Sequence, residues 1–276
     1  MLVCDVDGTL LDPSSQITPL TRAAVRAAVA AGCIVTLATG RRFRSAKPIA
    51  DDLGLELPLL VQNGALIKDS LTGEILYHCH LPRDGAAVAV EYFWRSGAQP
   101  IVYENAFTGE RLFTGPAERD NDLNRAYVTR NADLICRRAL DALLPAEPPL
   151  EVAILDTAEQ VAALAPALAH ASFRTIATTN QNGSAFLEVL APECSKAAAL
   201  RELARHYGVP LEQTMAIGDN VNDLEVLTAA GIGVAMGNAL PQVKAIAGHS
   251  TSSNSEDGVA EAIARFVLER PLAGVV

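Results

Sequence analysis

The chain lacks the cysteine spacing on which disulfide or zinc frameworks are built. Its five cysteines, Cys4, Cys33, Cys79, Cys136 and Cys194, are scattered, odd in number and never set as C-x-x-C. Buried free thiols in a reducing compartment are the expectation. Basic residues are also scarce: 22 face 32 acidic ones, for a net charge of −10. That balance disfavours a general nucleic-acid binder. A small phosphorylated partner stays open, because a local pocket can be basic on an acidic protein. No uninterrupted apolar run of about 18 residues offers a membrane span. No basic segment precedes a long apolar stretch, so no secretory leader is expected and the cytoplasm is the default location. Repeats of fixed period and low-complexity tracts are missing beyond alanine enrichment. Missing too are the G-x-S-x-G of a serine hydrolase, the G-x-x-x-x-G-K-[ST] of an NTPase and a post-strand G-x-G-x-x-G for a dinucleotide.

What is present is a chain of 276 residues, half of them apolar, enough for one large domain or two smaller ones with full cores. Apolar Leu2-Val3-Cys4 reads as a strand, and Ile17 to Ala31 as a helix capped by Thr18 and closed by Gly32. Cys33 to Ala38 is a second strand, Phe43 to Leu53 a helix interrupted in pattern by Pro48, and Leu57 to Val61 a third strand. This alternation predicts an α/β fold with a doubly wound parallel sheet covered by helices.

Between about Ile67 and Phe186 the texture changes. Ala65 to Lys68 and Ile75 to His78 read as a hairpin about Thr72-Gly73. Ala86 to Ser96 and Asp133 to Leu144 read as helices. Strand patterns cover Pro100 to Tyr103, Glu110 to Phe113, Glu151 to Asp156 and Phe173 to Thr178. Thr157 to His170 reads as a helix, and Asn182-Gly183 as a hairpin turn into Ala185 to Val189. An α+β module inserted into the parallel-sheet domain is expected, with the core at 1–81 and 185–276 and the insertion at 82–184. The parallel pattern then returns with a helix from Ser195 to Gly208, a strand over Thr214 to Ile217, a helix from Asp223 to Ala230 and a strand from Gly231 to Met236. Ala239 to Ile246 and Gly258 to Leu268 read as closing helices.

Four strand or helix ends carry groups with chemistry. Asp5 and Asp7 end the first strand, two apart and so on one face. Two acids that close repel unless a cation or a proton lies between them. Ionised oxygens suit a hard cation such as Mg²⁺, one carboxylate could attack phosphorus, and its neighbour could pass protons. The bland alternative is a turn with two solvated acids. Thr39-Gly40-Arg41 lies where a buried strand meets a helix, a place for an anion or an ordinary cap. Lys196 opens a helix, where the macrodipole is slightly unfavourable to a cation, so it either answers a nearby anion or is a solvated lysine. Gly218-Asp219-Asn220-Val221-Asn222-Asp223 clusters oxygen donors after an apolar strand. Asp219 and Asp223 are four apart, as a direct metal ligand and a supporting partner would be. The EF-hand's mid-loop glycine and closing glutamate are not there.

In that order and spacing the motifs resemble those of haloacid dehalogenase-superfamily phosphatases, in the Cof-type subclass IIB branch with a large inserted cap. Asp5-Val6-Asp7-Gly8-Thr9-Leu10-Leu11-Asp12 is similar to the family's opening motif, Ala38-Thr39-Gly40-Arg41 to its second, Ser195-Lys196 to its third and Gly218 to Asp223 to its fourth. Gln62-Asn63-Gly64-Ala65 is similar to a further segment just before the cap. The resemblance implies Asp5 as nucleophile, forming an aspartyl-phosphate, and Asp7 as general acid and base. It implies Mg²⁺ held by the Asp5 carboxylate, the Asp7 main-chain carbonyl and Asp219, with Asp223 in support. Thr39, Gly40, Lys196 and Asn222 would hold the phosphoryl group. The implied activity is a Mg²⁺-dependent phosphatase acting on a small phosphorylated metabolite, with a sugar phosphate expected. A phosphomutase or phosphotransferase using the same intermediate, or a non-catalytic phosphate-binding module, are the alternatives. No nucleic-acid or membrane partner is expected.

Overall fold

Leu2, Val3 and Cys4 are each at most 2 % exposed and form β1 (Leu2–Cys4), the centre of the parallel sheet. The computed structural model describes residues 1–168, 173–180 and 183–268. After β1 come α1 (Pro19–Ala30), β2 (Val35–Leu37), α2 (Phe43–Leu53), β3 (Leu59–Val61), β4 (Leu66–Lys68) and β5 (Ile75–His78). The chain then makes α3 (Arg83–Arg95), β6 (Ile101–Tyr103), β7 (Leu112–Thr114), α4 (Asp122–Arg130), β8 (Ile135–Arg137), β9 (Glu151–Thr157), α5 (Ala158–Leu164), β10 (Arg174–Thr179) and β11 (Ser184–Leu190). It ends with α6 (Lys196–His206), β12 (Met215–Gly218), α7 (Leu224–Ala229), β13 (Ile232–Ala235), α8 (Pro241–Ile246), β14 (His249–Ser250) and α9 (Gly258–Phe266).

These elements form two compact units, one of Met1–Tyr77 with the chain from Ser195, the other of His78–Cys194. In the first unit the sheet runs β14-β13-β12-β1-β2, all parallel. A parallel bridge from Ala38 to Leu60 continues it to β3. Leu2 lies between Met215 and Val35, so β1 is flanked by strands from opposite ends of the sequence. From β1 the chain winds one way to β2, and from β12 it winds the other way to β13. Right-handed crossovers therefore place α1 and α7 on opposite faces. In keeping with this, α1 packs on α9 and α7 on α6. The reversal makes the carboxyl ends of β1 and β12 a topological switch point, where such sheets bind ligands. Thr18 accepts a hydrogen bond from the Thr21 amide at the start of α1, and Gly54 closes α2 in a left-handed conformation. Pro48 does not break α2, whose Ala46, Ala50 and Leu53 are buried.

The second unit holds a six-stranded sheet in the order β10-β11-β9-β6-β7-β8, antiparallel except for β7 with β8. One face carries Val102, Phe113, Val152, Ile154 and Leu187, packed with Val90 and Phe93 of α3 and Val161 and Leu164 of α5. Two sequence expectations are corrected here. The expected helix from Asp133 to Leu144 is instead the edge strand β8, a turn and a short 3₁₀ segment, while the helix lies earlier, at α4. Asn121 caps α4 by accepting from the Asn124 amide, and pairing of Ile135–Arg137 with β7 overrides the local helical pattern. The insertion also ends later than residue 184. Strand β11 pairs with β10 and β9, so it belongs to this sheet and the chain leaves the unit at Cys194. The expected continuation of a helix to His170, and the Asn182 half of the hairpin turn, lie outside the described residues. Cys4, Cys79 and Cys194 are buried, Cys33 and Cys136 half-buried, and none of the five forms a disulfide.

Candidate active site

At the carboxyl end of β1 the chain bends sharply, and the two acids of the opening motif separate. Asp5 is 6 % exposed, and its Oδ1 accepts a hydrogen bond from Lys196 Nζ at 2.6 Å. Asp7 is turned toward solvent, where Arg41 Nε and Nη2 grip its two oxygens at 2.7 and 2.6 Å. Gly8 takes φ +81°, which an L side chain rarely adopts, and a Cβ there would lie 2.4 Å from Asp219 Oδ2. Only glycine lets the loop after β1 press this closely on the loop after β12. Thr9 adds a side-chain tie, its hydroxyl donating to Asp219 Oδ1 at 2.7 Å.

After β12, Asn220 and Asp223 form a capping box. Asp223 Oδ2 accepts from the amides of Asp219 and Asn220 at 3.0 Å each, while Oδ1 accepts from Lys196 Nζ at 2.7 Å. Lys196 is therefore no solvated lysine: it is 1 % exposed and lies between two carboxylates. Ser195 caps α6 by accepting from the Ala198 amide, which seats Lys196 in the first turn.

Donor oxygens of Asp5, Asp219 and Asp223 lie within 4.8 Å of one another. Three carboxylates around one ammonium leave two formal negative charges, the complement of a divalent cation. Burial pushes the Asp5 carboxyl well up, against the pull of the Lys196 ammonium. Burial and the neighbouring Asp223 push Asp219 up to about 7, against the Thr9 hydrogen bond. For Lys196, burial works to lower the pKa, and the Asp223 and Asp5 carboxylates outweigh it and keep the group charged. Such an all-oxygen, electron-rich set fits a hard cation such as Mg²⁺.

Thr39 is buried, and its hydroxyl accepts from the Arg41 amide at 3.1 Å, the local turn of a cap. A Cβ on Gly40 would lie 3.1 Å from Asn63 Oδ1, so that loop is packed on the turn after β3. In that turn Gln62, Asn63 and Gly64 all have positive φ, at 50°, 54° and 91°. Two non-glycine residues held there in succession are backbone strain maintained by the surroundings. The turn presents Asn63 Oδ1 to Asn222 Nδ2 at 2.8 Å, while Asn222 Oδ1 is buried with no hydrogen-bond partner. The structure thus brings Asp5, Lys196, Asp219 and Asp223 together, and joins Asn222 to the Thr39-Gly40 side through Asn63. The Asp7 carboxylate stands apart from the acidic cluster, on Arg41.

Sequence reasoning assigned no role to Arg41, Thr9 or Asn63. For Arg41 and Asn63 the signal was present as the last residue of Thr39-Gly40-Arg41 and the middle of Gln62-Asn63-Gly64. Thr9 was legible only as part of the opening motif, since its partner is 210 residues away.

A family model described as haloacid dehalogenase-like hydrolase matches residues 2–263. The HMP-PP phosphatase of Serratia proteamaculans is 34 % identical over 245 residues, covering 88 % of this chain and 85 % of its own. A 5-amino-6-(5-phospho-D-ribitylamino)uracil phosphatase of Bacillus subtilis is 30 % identical, covering 97 % and 96 %. Among solved structures, a haloacid dehalogenase subclass IIB sugar phosphatase superposes with a TM-score of 0.80 at 26 % identity, over 96 % of this chain and 98 % of that one.

Proposed function

The chain belongs to the haloacid dehalogenase-like hydrolase family, and from that premise we propose that it is a Mg²⁺-dependent phosphatase of small phosphorylated metabolites. The observation that carries this reading is the meeting of Asp5, Asp219 and Asp223 around Lys196 at the switch point of the sheet.

Phosphoryl transfer needs positioning and charge neutralisation more than elaborate covalent chemistry. Lys196 occupies Oδ1 of Asp5, so Oδ2 is the oxygen to attack phosphorus. The P–O bond to the leaving group breaks as the Asp5 acyl-phosphate forms, and the departing oxygen takes a proton from Asp7. Water then attacks the same phosphorus, giving its proton to Asp7, and Asp5 returns as a carboxylate with inorganic phosphate released. Arg41 grips both Asp7 oxygens in the structure, so one of them lets go of Arg41 to carry the proton while the other stays held. Lys196 and the Thr39-Gly40 turn stabilise the transferring group's oxygens, and Asn222 offers them its Nδ2 donor, which in the structure is held by Asn63 Oδ1. Asp5 and Asp219, with the Asp7 main-chain carbonyl, would hold the cation, and Asp223 would orient the Asp219 loop through its amide contacts. When bound, the cation supplies neutralisation of the charge gathered at phosphorus.

The relatives act on HMP-PP, a ribitylaminouracil phosphate and sugar phosphates. A phosphorylated sugar or small cofactor precursor is accordingly the substrate class to expect. The test is a screen of phosphorylated sugars, nucleotides and cofactors for phosphate release with and without Mg²⁺, ranked by kcat/KM. Asp5→Asn should abolish release in a folded protein, and undiminished turnover in that variant defeats the assignment.

A further inference from the structure

The loop that carries Asp5 and Asp7 is held from outside by two asparagines to which no part of the proposed chemistry gives work. After β13, the Asn238 side-chain amide donates to the Gly8 carbonyl at 2.7 Å. After β14, the Asn254 side-chain amide donates to the Leu11 carbonyl at 2.7 Å, in a buried position. The two are themselves joined, the Asn254 backbone N–H donating to Asn238 Oδ1 at 2.9 Å. A carboxamide is the group for this, because it donates and accepts from one rigid plane. Aspartate at 238 would keep the acceptor and lose the donor.

The same short segment reaches the opposite wall of the site. Met236 N donates to the Gly218 carbonyl, and Leu240 N donates to the Asp219 carbonyl, both at 3.0 Å. Residues 236–240 therefore hold the loop after β1 with one side chain, and the end of β12 and the loop after it with one amide each. All these contacts fall on main-chain atoms, so none displaces an oxygen that a cation would need. Gly8 is the residue packed on Asp219 Oδ2, so a shift of its carbonyl is a shift of the whole contact.

We propose that Asn238 and Asn254 are positioning residues that set the separation of the Asp5 and Asp219 carboxylates, and through it the affinity for the divalent cation. The inference rests on the metal-dependent reading above. Cation ligation tolerates displacements of only about 0.2 Å, and misplacement of about 1 Å can cost catalysis about a hundredfold. Asn238 is exposed while Asn254 is buried, so Asn238 is the cleaner position to change.

The experiment compares wild type with Asn238→Ala, Asn238→Asp and Asn254→Ala in three readouts. These are amide hydrogen exchange over residues 6–11, Mn²⁺ dissociation constant by electron paramagnetic resonance, and steady-state kinetics on p-nitrophenyl phosphate. The expected result for both Asn238 variants is exchange over 6–11 and Mn²⁺ dissociation constant each raised about tenfold, kcat lowered and KM for the ester unchanged, at a Tm near wild type. Asn254→Ala should show the same pattern with a lower Tm. Wild-type exchange and Mn²⁺ affinity in Asn238→Ala overturn the proposal, as do losses that only track Tm. A wild type that neither takes up Mn²⁺ nor releases phosphate removes the phosphatase reading instead. In that case unchanged exchange over 6–11 still overturns the clamp, and faster exchange sustains its mechanical half.

Discussion

Lys196 Nζ lies 2.6 Å from Asp5 Oδ1 and 2.7 Å from Asp223 Oδ1, and all three side chains are buried. An ammonium in that place neutralises charge that the surrounding carboxylates could not otherwise carry out of water. Removing it with Lys196→Met leaves them uncompensated, a change that costs roughly 3–5 kcal/mol for buried pairs. Tm should fall in the metal-free protein and recover in part with Mg²⁺, while kcat falls about a hundredfold or more. Thermal unfolding with and without Mg²⁺ checks the first effect, and steady-state kinetics the second. A variant as stable and active as wild type would refute both.

Gly8→Ala tests the close approach of the two loops. The new methyl would sit 2.4 Å from Asp219 Oδ2 and would hold φ near +81°. Left-handed strain of this kind costs about 1–3 kcal/mol, and the displaced Asp219 should weaken metal binding. The Mg²⁺ concentration giving half-maximal rate is expected to rise about tenfold. An unchanged metal titration would show that the loops can part without consequence.

Arg41 gives a test of proton transfer. With Arg41→Gln the Asp7 carboxylate loses its two-pronged hold. Esters whose leaving group needs a proton, such as alkyl and sugar phosphates, should slow by about tenfold or more. p-Nitrophenyl phosphate, whose leaving group departs as an anion, should slow far less. Equal losses on both kinds of ester would place Arg41 in binding and not in support of the acid.

The inserted unit carries its own pH signature. His80 stacks on His78 with ring centroids 4.5 Å apart. Burial, followed by the charge of His78, pushes its pKa from 6.5 down to about 4. Between those values the unfolded chain takes a proton that the folded unit refuses, so this group's stabilising effect is complete above pH 6.5 and is lost as pH falls toward 4. The single tryptophan, Trp94, lies in α3 of the same unit. Urea midpoints followed by its fluorescence should decline less steeply with acid in His80→Gln. Parallel curves for the two proteins would rule the histidine out.

The core was readable because its strands are short, continuous apolar runs that end in polar motifs, which is how a buried parallel sheet must be written. Asp5, Asp219 and Asp223 could be picked out for the same reason: each ends an apolar strand or begins a helix. The Lys196 environment could not be read, since its partners are 191 and 27 residues away and sequence offers a solvated lysine equally well. Strand β8 was hidden because Ile135–Arg137 is made a strand by a neighbour, β7, and not by its own pattern. The late end of the insertion escaped for a similar reason. Apolar Ser184–Leu190 reads as well for a core strand as for one that pairs with β9 and β10. Asp7 faces away from Asp5, against the alternation its spacing predicts, because the chain leaves extended geometry right after Cys4 and the alternation of side chains stops with it.

Because β1 is clasped between β2 and β12, the strand at Leu2–Cys4 waits for a partner that is made only after the whole inserted unit. Until the chain from Lys196 to Asp219 has been made, the Asp5 carboxylate lacks the ammonium, the second acid or both. A nascent chain can fold its inserted unit, complete by Cys194, well before it owns a reactive centre.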